Sequence, residues 1–152
     1  MLKMGCPEVS LLDGYKSVAD LGCGTMQLEK MLRPDTAYLP VDVINRDNRT
    51  VVVDFNQGLL PPVVAAVSAA LLGIVEYIHD VTALLTQCRE RFQTIVIAYN
   101  CADAANPITE RRMHAWVNDL GREAIEAIFL ASGWQIANRI KLDNNQFLWK
   151  LV

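Results

Sequence analysis

Nowhere does the chain gather lysine or arginine into a cluster, and its formal net charge at pH 7 is −3. Phosphate backbones are held by such clusters, so nucleic acid is set aside as a partner. Cysteine is sparse and scattered, at Cys6, Cys23, Cys88 and Cys101, with no C-x-x-C pair and no histidine at ligand spacing. That pattern argues against a zinc site and suits thiols kept reduced in a cytoplasmic setting. Uninterrupted apolar runs of membrane length are missing too. Residues 55–75 carry no charge, but Pro61 and Pro62 break the run. The remainder, 63–75, is shorter than the roughly 20 residues a helical crossing needs, and reads as buried core. Residues 1–5 contain one lysine with no apolar core behind it, so no secretory leader is expected.

The 152 residues, 52% hydrophobic and 20% charged, suit one globular domain over 1–152. Residues 15–21 read as a strand running into a glycine turn. Residues 27–32 read as about two helical turns, stopped at Arg33-Pro34 because proline disfavours helix in the residue before it. Strands are expected at 37–43 and at 49–55, the latter carrying a β-branched run. The link between them, 44–48, is too short for a normal parallel crossover and is expected to be irregular. A turn over 58–62 and a loop or short helical piece through Val67 lead to a strand ending near Val75. Residues 80–91 read as a helix with Asp80 near its start. Residues 93–99 form the clearest strand, followed by a polar loop over 100–112 that is expected to be partly helical. An amphipathic helix is expected over 119–131. Strands at 134–142 and 146–152 make an antiparallel hairpin around 143–145. Strands alternating with helices predict an α/β fold: a mostly parallel sheet, helices on both faces, and a C-terminal antiparallel hairpin.

The stretch VADLGCGT, residues 18–25, places Asp20, Gly22 and Gly24 where the first strand turns. Glycines there let the backbone turn sharply and let a ligand lie against it. In open parallel sheets ligands sit at the carboxyl ends of the strands. No phosphate-loop string G-x-x-x-x-G-K-[ST] exists. The dinucleotide fingerprint G-x-G-x-x-G fails at Gln27, which weighs against an NAD-type oxidoreductase. What remains is an acid two places before the first glycine.

With that motif, YLPVDV ending a strand in Asp42, RTVVVDFN ending one in Asp54-Phe55, and LLGIVEYIHD following, the sequence resembles the class I S-adenosyl-L-methionine (SAM)-dependent methyltransferases. The likeness runs over 16–152 and is greatest to the small members acting on metabolites or glycans. It implies a Rossmann-like sheet. It also implies that Asp20, Gly22 and Gly24 hold the methionine part of SAM, and that Asp42 accepts from the ribose hydroxyls. Asp54 would accept from the adenine amino group, Phe55 would pack on the ring, and Leu72 and Gly73 would line the other side. Met26 departs from the family, which commonly has a third glycine there. Residues 1–15 are a shorter lead-in than is usual, so a more open pocket is expected.

Methyl transfer needs a positioned nucleophile and sometimes a base, while the sulfonium supplies the leaving group. Candidate catalytic residues are His79, Glu76 and Tyr99. His79 could be a base or simply a histidine at a helix start. Glu76 could be a pocket acid or a helix-stabilising residue. Tyr77 and Tyr99 read as wall. His79-Asp80 is not expected to hold a metal. Arg111, Arg112, His114 and Trp116 read either as a substrate-bordering loop or as a solvated one. The resemblance implies transfer to a small-molecule or glycan-type acceptor, with no membrane partner. The N-P-P-[YF] signature of nucleic-acid amino-methylating enzymes is absent. A non-catalytic SAM-binding or methyltransferase-like interaction module is the alternative.

Overall fold

The computed structural model describes residues 6–103, 108–143 and 145–152. Residues 1–5, part of the 100–112 loop and residue 144 of the hairpin turn lie outside that description.

Seven strands form one sheet: β1 (Ser17–Leu21), β2 (Ala37–Asp42), β3 (Val51–Val52), β4 (Ser68–Leu72), β5 (Thr94–Asn100), β6 (Ile136–Asp143) and β7 (Gln146–Leu151). Their order is β3-β2-β1-β4-β5-β7-β6. The first five run parallel, and β7 inserts antiparallel between β5 and β6. This is the mostly parallel sheet with a terminal hairpin that the element order predicts.

The two faces are covered unequally. On one, α2 (Val81–Arg91) presents Val81, Leu84, Leu85 and Cys88 at helical spacing, and α4 (Arg122–Ala131) presents Ile125 and Phe129. These pack on Ile95, Ile97 and Tyr99 of β5 and on Trp149 of β7. Phe129 meets Trp149 edge-on at 5.2 Å, and the Trp134 indole N–H donates to the Leu85 carbonyl at 3.0 Å. On the other face, Leu12 of the six-residue α1 (Pro7–Leu12) and Leu28 cover Val18, Ala70, Val96, Ala98 and Leu148. The helix α2 begins where Asp80 Oδ1 accepts from the Ala83 amide at 3.0 Å, and its last turn carries Arg89 and Arg91.

Several boundaries differ from the sequence expectation. Residues 27–32 make a single 3-10 turn, Glu29–Met31, in place of two α-turns. Met26 takes a left-handed conformation at φ +60°, which breaks any helix that would start at the glycines, and Pro34 stops it beyond. The helix N-terminus that commonly faces a ligand after such a turn is therefore missing. β3 is two residues long, not seven. Upstream, Thr50 Oγ1 accepts from the Arg46 and Asp47 amides, and downstream Asp54 Oδ1 accepts from the Asn56 amide. Both turns consume the residues expected to extend the strand. Because β3 pairs only with Val41 and Asp42 at the far end of β2, the chain returns without travelling a strand's length. That is how a link without a helix joins two parallel strands. β4 stops at Leu72, since Gly73 turns at φ +116° into a 3-10 turn at Val75–Tyr77. α4 begins at Arg122, three residues late, and a short α3 (Ile108–Met113) lies in the preceding loop.

Neighbouring residues of α4 make a test of this packing. Phe129 is fully buried and Leu130 is 61% exposed. Phe129→Ala is expected to lower the unfolding free energy by about 3–5 kcal/mol in urea titrations, whereas Leu130→Ala should stay within about 0.5 kcal/mol.

Candidate functional site

The carboxyl ends of β1, β2 and β4 meet around the glycine turn. The amides of Gly22 and Cys23 both donate to the Val41 carbonyl, at 2.8 and 3.0 Å, so the turn is pinned to β2. Gly22 sits at φ +80°, and a Cβ there would lie 2.9 Å from the Ile74 side chain. No other residue fits that position without displacing Ile74. The Gly24 amide donates to Asp42 Oδ2 at 2.8 Å.

Two clefts flank this ridge and share Gly22 and Gly24. The first, about 390 Å³, is walled by Asp42, Arg46, Asp54, Phe55, Gly73 and Tyr77 among others. The second, about 450 Å³, takes in Glu8, Asp20, Cys23, Thr25 and Leu72. Every position that the sequence assigns to a cofactor therefore lines one cleft or the other: Asp20, Gly22, Gly24, Asp42, Asp54, Phe55, Leu72 and Gly73. Met26 lines neither; it is buried, and its Sδ accepts from Arg49 at 3.5 Å.

The carboxylates differ in state. Asp20 is 3% exposed and accepts from the Tyr38 hydroxyl at 2.6 Å. Burial pushes its carboxyl up to about 6, against the pull of the Tyr38 bond, and the nearby Asp42 charge adds to the rise. Asp42 is also buried, which works to raise it. The amides of Gly24 and Ile44 and the Arg46 guanidinium outweigh that and hold it below the usual carboxylate range. Burial, with the two neighbouring carboxylates, pushes the Cys23 thiol up to about 11, so it stays protonated. Asp54 is exposed, with Oδ1 accepting from the Asn56 amide at 3.0 Å.

The catalytic assignments fare differently. Glu76 is 1% exposed, and its Oε2 accepts from the Asn100 amide at 3.0 Å and from Asn100 Nδ2 at 2.8 Å. Tyr99 is fully buried; its hydroxyl donates to Asn118 and accepts from Arg111 at 2.9 Å and from the Leu120 amide at 3.0 Å. Tyr99 spends its hydroxyl inside the molecule, whereas Glu76 Oε1 is buried with no hydrogen-bond partner among the described residues. His79 is exposed and lines a smaller neighbouring cleft of about 270 Å³ with Phe55 and Leu59. Arg111 is neither substrate-bordering nor solvated. It is fully buried, donating to Asp119, to the carbonyls of Asn100 and Asn118, and to Tyr99.

Sequence reasoning missed Asn56 and Arg46. Asn56 donates to the Tyr77 carbonyl at 2.9 Å and accepts from the His79 amide at 3.0 Å, bridging two walls of the first cleft. Loop residues of this kind leave no spacing signal. Among the described residues no group of three metal-ligating side chains occurs, and no helix is long and apolar enough to cross a membrane.

No protein-family model and no curated protein matches the chain. Solved structures do. The pyocyanin biosynthetic protein PhzM superposes with a TM-score of 0.69 at 17% identity, over 93% of this chain and 52% of its own. The O-methyltransferase NcsB1 from neocarzinostatin biosynthesis, in complex with SAM and 2-hydroxy-5-methyl naphthoic acid, gives 0.70 at 15% identity, over 91% and 49%. CalO1, a methyltransferase in calicheamicin biosynthesis in its SAH-bound form, gives 0.65 at 19%, over 96% and 53%. The chain shares the fold of these proteins and spans about half their length.

The Asp20 carboxyl yields a stability test. Its folded value lies above its ordinary one of 3.8, so between about 4 and 6 the folded chain holds a proton that the unfolded chain has released. This group's contribution is greatest at low pH and is lost as pH rises through about 6. In Asp20→Asn that loss is removed. The variant's stability relative to wild type should rise by on the order of 2–3 kcal/mol from pH 4 to pH 7, read from urea midpoints. A pH-independent difference would contradict the assignment.

Proposed function

We propose that the two clefts bind SAM and that the chain is the donor-binding part of a methyltransferase for a small-molecule or glycan-type acceptor. One observation carries this reading. Asp20, Asp42 and Asp54, from three strand ends, come together on joined clefts either side of a glycine ridge. The donor set fits such a ligand. An ionised carboxylate at Asp42 accepts from a diol, Asp54 accepts from an amino group, and Phe55 offers an apolar face. Asp20, across the ridge, offers negative charge to an ammonium group. The acidic lining, with Arg46 as the one cation among the described residues of either cleft, favours a cationic ligand.

When bound, SAM supplies an activated methyl group. This chain's task is then to hold the donor and leave room for the acceptor. Tyr77 and Ile74 wall the first cleft and leave it apolar on that side. The four cysteines form no disulfide, which fits a reducing, cytoplasmic setting. A second reading, binding without transfer, has one observation in its favour: none of His79, Glu76 and Tyr99 lines either cleft.

Calorimetric titration with SAM and S-adenosylhomocysteine (SAH) tests the binding. Asp42→Ala is expected to weaken it by about 1–3 kcal/mol through lost charged hydrogen bonds. Phe55→Ala, which leaves the Gly24 and Ile44 amides paired, should also weaken it. Unchanged affinity in both would overturn the assignment. Turnover of labelled SAM over a panel of hydroxylated metabolites separates transfer from binding alone.

A further inference from the structure

Asp42 already holds partners within the chain. Its Oδ2 takes the Gly24 amide at 2.8 Å, Arg46 Nε at 3.4 Å and, weakly, the Cys23 thiol at 3.9 Å. Its Oδ1 takes the Ile44 amide at 3.1 Å. A diol donating two hydrogen bonds needs a place on each oxygen. Oδ1 has one to give, whereas Oδ2 is crowded. The two amides belong to backbone that is fixed by the ridge and by the start of the 43–50 loop.

Arg46 is the charged partner that is able to leave. Its side chain is 34% exposed and lines the first cleft. Among the described residues that side chain has no other hydrogen-bond or ion-pair partner. Its backbone is held independently. The Arg46 and Asp47 amides donate to Thr50 Oγ1 at 3.2 and 3.1 Å, and the Arg49 amide donates to Asp47 at 2.8 Å. The Arg49 guanidinium then ties the loop to Glu29 at 2.6 Å. The guanidinium of Arg46 swings without unravelling the loop.

We infer that Arg46 is an internal competitor for the diol-accepting carboxylate, and that it sets how tightly the first cleft holds a ribose. This rests on the SAM-binding reading above. Arg46 and a diol claim the same oxygen, so each bound nucleoside breaks an ion pair. Ligands without a vicinal diol leave the pair intact.

The test is titration of wild type, Arg46→Gln and Arg46→Lys with SAH at low and high salt, with Asp42→Ala alongside. Losing a partly exposed pair should make Arg46→Gln bind roughly two- to five-fold tighter at low salt. The gap should narrow at high salt, where the wild-type pair is screened. Arg46→Lys, which keeps a cation but loses Nε, should fall between. Equal or weaker binding by Arg46→Gln, with SAH still bound by wild type and lost in Asp42→Ala, overturns the competition and leaves the SAM site standing. No SAH binding by any of the four overturns both. Thermal melts of each variant separate a folding defect from a binding change.

Discussion

One carbonyl and one carboxylate, both at the end of β2, hold the site together. Val41 accepts two amides from the turn after β1, and Asp42 accepts a third. Three successive amides, which would otherwise stand unpaired at a strand end, are thereby satisfied by the neighbouring strand. The ridge that divides the two clefts is built from these bonds. The position of Asp42 follows from them, and so does the competition at its Oδ2. A turn of this shape leaves no space at Gly22 for a side chain, since Ile74 from the far side of β4 fills it. β1, β2 and the chain after β4 are thus locked at one point.

Behind the clefts a second construction holds the loops. Arg111 lies fully buried over the rings of Tyr99 and Trp116, at 5.6 and 5.0 Å. Its guanidinium makes five hydrogen bonds, to Asp119, Tyr99 and backbone carbonyls. Asn118 continues outward, donating to the carbonyls of Val75 and Ile78 at 2.7 and 2.8 Å. A buried charge survives only when so fully partnered. The network sets the height of the 75–78 segment, and Tyr77 and Ile78 of that segment wall the first cleft.

Period-two alternation explains much of what was legible and some of what was misread. β5 was plain because it is apolar on both faces, and α2 because Asp80 caps a helical stripe. The glycine-turn residues were legible through their spacing, and all of them border the clefts. Tyr99, however, shares its parity with Ile95 and Ile97 and so points beneath α2 and α4 with them. That parity stood in the sequence. Glu76 turned inward because the 3-10 turn after Gly73 rotates it there, a rotation no local pattern announces. The left-handed Met26 was hidden for a similar reason. A methionine carries no sign of a conformation that usually belongs to glycine.

The brevity of β3 bears on the company this molecule keeps. It covers only the last two residues of β2, so among the described residues the outer margin of β2 from Ala37 to Pro40 has no strand beside it. The Ala37 amide points inward to Lys16, and alternation then turns Tyr38 and Pro40 outward. Proline has no amide hydrogen, so that open margin offers a stray β-strand a single donor, at Tyr38. An edge so poor in donors offers little for an intermolecular strand to pair with.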